Sequence, residues 1–370
     1  MRYVTVPTEI TVEEIAAKNY SFSPVQYQRA IIPNPRVVPV SAFLTRALTS
    51  RDLGVEVGSV AYIPQSPVRF IRTKALQAHS FLPDLTPETA LPVNPRAFVQ
   101  QNLRAGDVLI SKDSNIGEAV ILDEDLPGFM TSGALYRLPL GPRKLYLLAF
   151  IKHDLFREQL DLLVPAGATI RHAKTLFLDC LIPLPPPDQE AEVVAYVEAL
   201  TAAVIAKETE IRRKHAAILD AIDTELRANQ GPAKFVYEFP GVQELEANGR
   251  LDAGRYTERF KRLDFLIRNY RHGYKTLTDL GYTAARGQNL QVSNIGNSVY
   301  SDSPQPGFYQ LAVSGDFTVY GTVSGSAYIG NKKPLKLVHQ NDILLSCRGD
   351  FGRAVFFPTP GNLLITILVN

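Results

Sequence analysis

Two stretches far apart in the chain share one pattern of apolar and polar residues. "GDVLISKDSNIGEAV" begins at Gly106, and "NDILLSCRGDFGRAV" begins at Asn341, at a constant offset of 235 residues. In each, a partly apolar run leads into a small polar cluster and then into a run rich in β-branched or aromatic residues, which is typical of a β-hairpin. Gly117 and Gly352 stand where the turn, or a close backbone approach, needs a residue without a Cβ atom. The pattern predicts the same hairpin twice.

The similarity extends beyond the hairpin. A strand-like stretch follows each copy, "GFMTSGALY" and "NLLITILVN", in which Thr131 matches Thr366. Upstream, "FSPVQYQR" resembles "LDAGRYTE" and places Tyr27 opposite Tyr256, with the offset changed to 229. Loop insertions produce such changes of offset. We therefore expect two homologous β-rich domains, each with some helix.

A long uninterrupted helix is predicted between the two copies. The prolines of "IPLPPPDQE" break regular structure, and Asp188 then offers a good N-cap with glutamates in the first turn. No glycine or proline occurs from Val193 to Arg227, and Gly231 and Pro232 supply the stop. A helix over 188–228 would be a rod of roughly 60 Å.

Apolar residues recur on this helix at a spacing of seven. Val197, Val204, Ile211 and Ile218 occupy one seam position, and Val193, Leu200 and Ala221 the other, where Lys207 and Lys214 weaken the pattern. The spacing favours a coiled-coil-type seam with a partner helix, because an isolated seam is unstable in water. An ordinary amphipathic helix packed on its own domain is the alternative. The predicted partner-helix residues are Val197, Leu200, Val204, Ile211 and Ile218.

Composition changes this picture little. The chain has 370 residues, 45% hydrophobic and 21% charged, with a net charge of +2, so two domains are expected and any nucleic-acid role depends on local clusters. Cys180 and Cys347 lack metal-ligand spacing and indicate reduced thiols. The first residues do not resemble a signal peptide, and the longest apolar runs are far short of the roughly 20 residues of a membrane helix. We expect a cytoplasmic protein.

Motifs for catalysis are not found in the sequence. There is no Gly-x-Gly-x-x-Gly loop, and neither "NPR" extends into the "NPPF" or "NPPY" tetrapeptide of an adenine methyltransferase. "GSAYIGNK" comes close to a phosphate loop, but Asn331 occupies the lysine position. The six histidines have no metal-ligand spacing. We expect no catalysis by this chain alone, and neither a metal nor a cofactor.

Arg, Lys, Asn and Gln side chains on loops are the usual means of reading base edges in the major groove. Such side chains also occur on any protein surface, so each candidate here also fits an ordinary surface residue. The candidates are Arg69, Arg72, Lys74, Lys112 and Asn115 in the first repeat and Arg286, Gln288, Asn289 and Arg348 in the second.

A basic stripe with interleaved aromatic residues precedes the second set. It fits phosphate contacts, or the solvated face of a helix. Its basic residues are Arg255, Arg259, Lys261, Arg262, Arg268, Arg271 and Lys275, against Glu258 and Asp264.

These stretches together resemble one known family. The "GD-[VI]-L-[IL]-S" strand with its glycine-containing turn before "AV", the "IPLPP-x-x-Q" opening of a long helix, and "LDAGRY" before the second domain are similar to the specificity subunit of type I restriction-modification systems. The resemblance covers nearly the whole chain. It implies an α+β fold in which a first target recognition domain (1–182), a proline-rich lead-in with a long spacer helix (183–230) and a second target recognition domain (231–370) follow one another.

The resemblance also implies a function. The protein would be non-catalytic, would read a split double-stranded DNA sequence with one half-site per domain, and would direct adenine methylation and restriction to it. Its helix would set the half-site spacing and bind two methyltransferase subunits, which a restriction and translocase subunit joins. S-adenosylmethionine, Mg²⁺ and ATP would belong to those partners.

The chain departs from the family pattern at its C-terminal end. Residue 370 corresponds to residue 135 of the first copy, so nothing matches 136–228 and the second domain is expected to be C-terminally incomplete. In the family, a second helix pairs antiparallel with the first. Here either the chain continues beyond 370 or a second copy supplies the partner helix. A truncated scaffold that binds methyltransferase without reading DNA specifically is the alternative function.

Overall fold

The structure is a computed structural model. It describes residues 4–5, 7–17, 20, 22, 27–32, 34–164, 173–325, 327–346, 352–358 and 363–365. The chain divides into two compact units, Met1–Glu210 and Ile211–Asn370. Helices and sheets are mixed, and one helix is far longer than the others, which confirms the predicted α+β class with a long helix. The division falls inside that helix, whereas the sequence interpretation treats the helix as a segment of its own.

The first unit consists of short strands, two packed helices and most of the long helix. Its elements are β1 (Val4–Thr5), α1 (Val12–Ala17), β2 (Arg29–Ala30), β3 (Val37–Pro39), β4 (Arg69–Ile71), β5 (Ala90–Pro92), β6 (Val108–Ser111), β7 (Ala119–Ile121), β8 (Phe129–Thr131), β9 (Leu135–Leu138), α2 (Lys144–Ile151), α3 (Asp154–Leu163), β10 (Leu181–Pro183) and α4 (Glu190–Ala228), which continues into the second unit. Strand β6 lies between β7 and β9, strand β4 lies between β5 and the parallel β8, and β10 pairs with β3.

Strand β6 is buried on both faces, which explains its imperfect alternation in the sequence. Successive side chains of a strand point to opposite faces. Val108 and Ile110 join a cluster with Phe156 of α3, while Leu109 joins a second cluster with Ile71 of β4. The hairpin is therefore the central element of the first unit.

The second unit contains the end of α4, three further helices and six strands among its described residues. Its elements after α4 are α5 (Val242–Asn248), α6 (Glu258–Arg268), α7 (Val292–Ile295), β11 (Ser298–Ser301), β12 (Tyr309–Ala312), β13 (Ala327–Asn331), β14 (Ile343–Leu345), β15 (Ala354–Phe356) and β16 (Leu363–Ile365). The sheet order is β11-β13-β12-β16, and β14 pairs with β15. Like β4, strand β12 has an antiparallel neighbour on one side and a parallel neighbour on the other.

The sequence repeat is a structural repeat. In the first hairpin Leu109 pairs with Val120, and in the second Leu344 pairs with Val355, which is the same register at the same offset of 235. The two turn glycines have φ values of 77° and 86°. Each donates its N–H to the carbonyl oxygen of the serine six residues earlier, at 2.8 and 3.0 Å. Thr366, which matches Thr131 in the sequence, lies outside the described residues.

The two upstream tyrosines are both buried. Tyr27 has 7% exposure and Tyr256 has 6%. The hydroxyl group of Tyr256 donates to the carbonyl oxygen of Arg250 at 2.6 Å, which fixes this tyrosine within the second unit.

Helix α4 begins two residues later than predicted and ends where predicted. The Gln189 N–H donates to the Pro186 carbonyl oxygen in a turn, and the Gln189 carbonyl oxygen accepts the first helical hydrogen bond, from Val193 at 3.0 Å. Asp188 therefore lies in the turn before the helix. At 1.5 Å per residue, the 39 residues of α4 extend over about 58 Å.

Candidate functional site

Three cations lie on β4 and the turn that follows it. Arg69 begins the strand, Arg72 precedes the 3-10 turn Thr73–Ala75, and Lys74 lies within that turn. Ala75 is fully buried and anchors the turn, while Arg72 and Lys74 are exposed and Arg69 is half-buried. None of the three side chains makes a hydrogen bond or ion pair with any residue that the structure describes. They are available to an anionic ligand.

Other cations of the first unit are engaged in ion pairs. Arg46 pairs with Asp52 at 2.6 Å, Arg104 pairs with Asp125 at 2.6 Å, and Arg36 pairs with Glu190 at 2.8 Å. A cation that already has a carboxylate partner offers less net charge to a phosphate. The three cations on β4 and its turn differ from these in being unpaired with described residues.

The turn of the first hairpin contacts the turn that carries Lys74. The Asn115 Nδ2 atom lies 3.4 Å from the Thr73 carbonyl oxygen and 3.3 Å from that of Leu76, within reach of long hydrogen bonds. Lys112 donates to the neighbouring Asp113 carboxylate at 2.6 Å, and both side chains are largely buried. The structure thus brings Asn115 against the turn that carries Lys74, with Lys112 and Asn115 already engaged and Arg72 and Lys74 facing solvent.

In the second unit, Arg286 is exposed and has no partner among the described residues. Gln288 and Asn289 are half-buried. Gln288 accepts a hydrogen bond from the Lys336 N–H at 3.1 Å, and Asn289 accepts one from the Gln291 N–H at 3.0 Å. Arg348, the fourth predicted residue of this unit, lies outside the described residues.

Several basic residues of the stripe form ion pairs with carboxylates on α6 or beside it. Arg262 pairs with Glu258 at 2.6 Å, and Arg268 pairs with Asp264 at 2.8 Å, both at a spacing of four residues. The Arg262 guanidinium also lies over the Phe235 ring, 4.8 Å from its centroid. Lys261 pairs with Glu244 at 2.9 Å, so three of the seven basic residues of the stripe have a carboxylate partner. The cations of the stripe without a partner in the described part of the chain are Arg259, Arg271 and Lys275.

Helix α4 has one packed and one exposed apolar face. Val194 and Thr201 are buried, and Val197 and Ile205 pack against the core of the first unit. The sequence left open the alternative that α4 is an ordinary amphipathic helix packed on its own domain, and Val197 packs in that way. The other predicted seam residues are exposed, at 50% for Leu200, 44% for Val204, 48% for Ile211 and 57% for Ile218. An apolar seam remains uncovered within the described chain.

The first turn of α4 is fixed to the first unit by its carboxylate. Glu190 accepts hydrogen bonds from Arg36, at 2.8 Å, and from Arg143. These bonds, that from Arg36 most of all, lower the pKa of Glu190. A carboxylate in this position also complements the helix dipole.

Residues suited to redox or metal chemistry do not form a site in the part of the chain that the structure describes. Burial raises the pKa of the Cys180 thiol to about 12, so this thiol is a packing residue of the core. No group of three or more His, Cys, Asp or Glu side chains could hold a metal ion among the described residues. Among these residues, too, no helix combines the length and apolar character that a membrane crossing requires.

Sequence reasoning missed Glu208, which binds the first unit through three donors. The donors come from Ser80, Phe81 and Leu82, more than a hundred residues away, and no local pattern marks them. The spacing along the helix does indicate this position of Glu208. It follows Val197 by eleven residues, or three helical turns, and so lies on the packed face.

No protein-family model matches the chain, and no curated protein matches it. Three solved structures are similar to it. A structure of a type I R-M system, described for its complex assembly and conformational transition, has a TM-score of 0.32 and 15% identity and covers 91% of this chain and 75% of its own. The HsdS subunit from Thermoanaerobacter tengcongensis has a TM-score of 0.29 and 15% identity, covering 91% and 74%. The S subunit of a type I restriction-modification system from M. genitalium has a TM-score of 0.31 and 10% identity, covering 88% and 70%.

Proposed function

We propose that the chain is the non-catalytic DNA-recognition subunit of a type I restriction-modification complex. It reads a bipartite DNA target, one half-site with each unit, and directs adenine methylation and restriction to that target. The observation that carries the proposal is the structural repeat, in which two hairpins of identical register bear different turn sequences, "SKDSNIG" and "SCRGDFG". A repeated scaffold with divergent turns is what an asymmetric two-part target requires.

The unpaired cations support DNA as the ligand. Phosphate contacts supply affinity, and base-edge contacts by Arg and Lys supply specificity. In the first unit, Arg69, Arg72 and Lys74 fill these roles, and in the second unit Arg286 does. Arg348, which lies outside the described residues, is proposed from its place in the turn sequence alone. Lys112, Asn115, Gln288 and Asn289 contribute by shaping the surface or by exchanging their present hydrogen bonds for bases.

The exposed seam of α4 supports partner subunits. A row of apolar side chains at coiled-coil spacing becomes stable when another helix covers it. Two methyltransferase subunits bind along this helix, and a restriction and translocase subunit joins the assembly. A second copy of the chain is a further occupant of the seam. S-adenosylmethionine, Mg²⁺ and ATP belong to the partner subunits, and the complex acts in the cytoplasm.

A salt titration tests the proposal. The full chain is equilibrated with a duplex enriched from a randomised library and with a scrambled duplex of the same length and composition. Affinity for both falls as salt rises, because counterion release contributes to each. We expect the enriched duplex to bind far more tightly than the scrambled duplex at every salt concentration. Equal affinities would contradict the proposal.

A scaffold without specific DNA recognition is the second candidate, and the exposed seam favours it equally. Equal affinities for the two duplexes, together with retained binding of methyltransferase subunits, would identify the chain as this scaffold.

A further inference from the structure

Glu208 is the most heavily bonded side chain on the packed face of α4. One of its carboxylate oxygens accepts from the Ser80 hydroxyl at 2.9 Å, from the Phe81 N–H at 3.1 Å and from the Leu82 N–H at 3.2 Å. The Phe81 N–H also lies 3.2 Å from the other oxygen. Hydrogen bonds to a charged group are among the strong ones.

The segment that holds Glu208 is itself fixed to the first unit. The Phe81 carbonyl oxygen accepts the Ile121 N–H of β7 at 2.8 Å, and Leu82 is fully buried in the core. At the other end of the segment, Lys152 donates to the Gln77 carbonyl oxygen at 2.7 Å. Glu208 therefore connects α4 to the repeated hairpin through a rigid segment.

Glu190 and Glu208 fix α4 to the first unit at points 18 residues apart, which corresponds to about 27 Å along the helix. Between them Val197 and Ile205 pack against the core of the unit, and beside Glu208 the Thr209 hydroxyl donates to the Asp123 carboxylate at 2.8 Å. Apolar contacts are non-directional and allow a helix to shift, whereas the charged hydrogen bonds of Glu208 fix the direction of its axis. No glycine or proline follows in α4 up to Ala228.

We propose that Glu208 is a positioning residue that fixes the length of the DNA spacer between the half-sites. This inference rests on the proposed function. A tilt of about 10° at Glu208 displaces the end of the remaining helix, about 30 Å further on, by about 5 Å. DNA rises about 3.4 Å per base pair, so such a tilt changes the spacer by more than one base pair. The residue acts on spacing and leaves the bases of each half-site unchanged.

The test compares Glu208→Ala with a matched control, Glu210→Ala. The first replacement removes both carboxylate oxygens, so the donors of Ser80–Leu82 lose their acceptor on α4, whereas a glutamine would keep an oxygen where all three bonds are accepted. Glu210 pairs with Lys207 of its own helix at 2.9 Å, so its replacement removes the same charge and leaves the bonds of Glu208 in place. Each full-length protein selects duplexes from a library of randomised sequence, and the enriched duplexes are sequenced.

We expect the parent protein and Glu210→Ala to enrich two half-sites at one spacing. Glu208→Ala should enrich the same half-sites with spacings spread over two or more lengths, and Ser80→Ala, which removes one of the three donors to Glu208, should give a smaller spread. A single spacing for both Glu208→Ala and Ser80→Ala, or an altered half-site, would overturn the inference while leaving the proposed function in place. A parent protein that enriches no two-part sequence would overturn the proposed function, and the inference with it.

Discussion

Gly117 lies directly against the side chain of Leu160. A Cβ atom at position 117 would come within 2.3 Å of the Leu160 Cδ2 atom and 3.1 Å of the Phe156 ring. At Gly352, the matching position of the second hairpin, no described atom lies within 4 Å of such a Cβ. The two turns share their left-handed backbone, but helix α3 covers only the first of them among the described residues.

This difference predicts unequal costs for the same replacement. Gly352→Ala places a side chain in a left-handed conformation, which costs about 1–2 kcal/mol. Gly117→Ala has the same cost and also forces the new methyl group against Leu160 of α3, so the total loss of stability is about 2–5 kcal/mol. Urea denaturation of the two variants measures the difference, and equal losses would contradict the packing described for α3.

Asp52 predicts a specific dependence of stability on pH. Hydrogen bonds from Arg46, and then from Thr49, lower the pKa of this buried carboxyl group to about 2 from 3.8. Because the folded state binds the proton less readily than the unfolded state, this contribution is complete above pH 3.8 and is lost as the pH falls towards 2. It amounts to about 2 kcal/mol.

Asp52→Asn should lower the free energy of unfolding by about that amount at pH 7, and the difference should vanish near pH 2. A difference that stays constant over this range would exclude the ionised Arg46–Asp52 pair as its source.

The unpaired cations predict a localised loss of DNA recognition. Arg72→Ala combined with Lys74→Ala should weaken recognition of one half-site and reduce the slope of log affinity against log salt by about 0.9 per lost phosphate contact. Arg286→Ala should affect the other half-site, by about 1–3 kcal/mol where it contacts a base.

Arg104→Ala is the matched control for this set, because Arg104 is equally accessible but pairs with Asp125. Binding titrations with half-site mutant duplexes separate the effects. If a change in one unit weakens binding at both half-sites, the two units do not each read one half-site.

The exposed seam predicts that partner binding and DNA reading are separable. Ile211→Ser and Ile218→Ser each remove an apolar side chain whose burial against a partner contributes about 1.5–3 kcal/mol. Leu219→Ser is the control, because Leu219 is exposed to 54%, close to the 57% of Ile218, but lies off the seam. The free energy of unfolding should change by less than about 0.5 kcal/mol in all three.

Titration calorimetry with purified methyltransferase subunits measures the effect on assembly. The two seam variants should bind at least tenfold more weakly, while Leu219→Ser binds as the parent does. An equal loss in all three would show that the partner does not follow the predicted seam.

The sequence predicts those features of the fold that depend on local pattern. The hairpins are found at the predicted residues because alternation and turn glycines are local signals. Helix α4 starts two residues later than predicted, because Asp188 and Gln189 lie in the turn that follows the prolines. Pairing between distant residues could not be predicted in this way. Whether Arg72 is unpaired and Arg104 paired depends on Asp125, and the role of Glu208 depends on Ser80.

Selection of duplexes from a randomised library by the unaltered full chain measures whether the two units together read a two-part target. The enriched duplexes should contain two short blocks of defined sequence, different from each other, separated by an undefined stretch of one fixed length. Enrichment of a single continuous block, or no enrichment over the starting library, would contradict the proposed function.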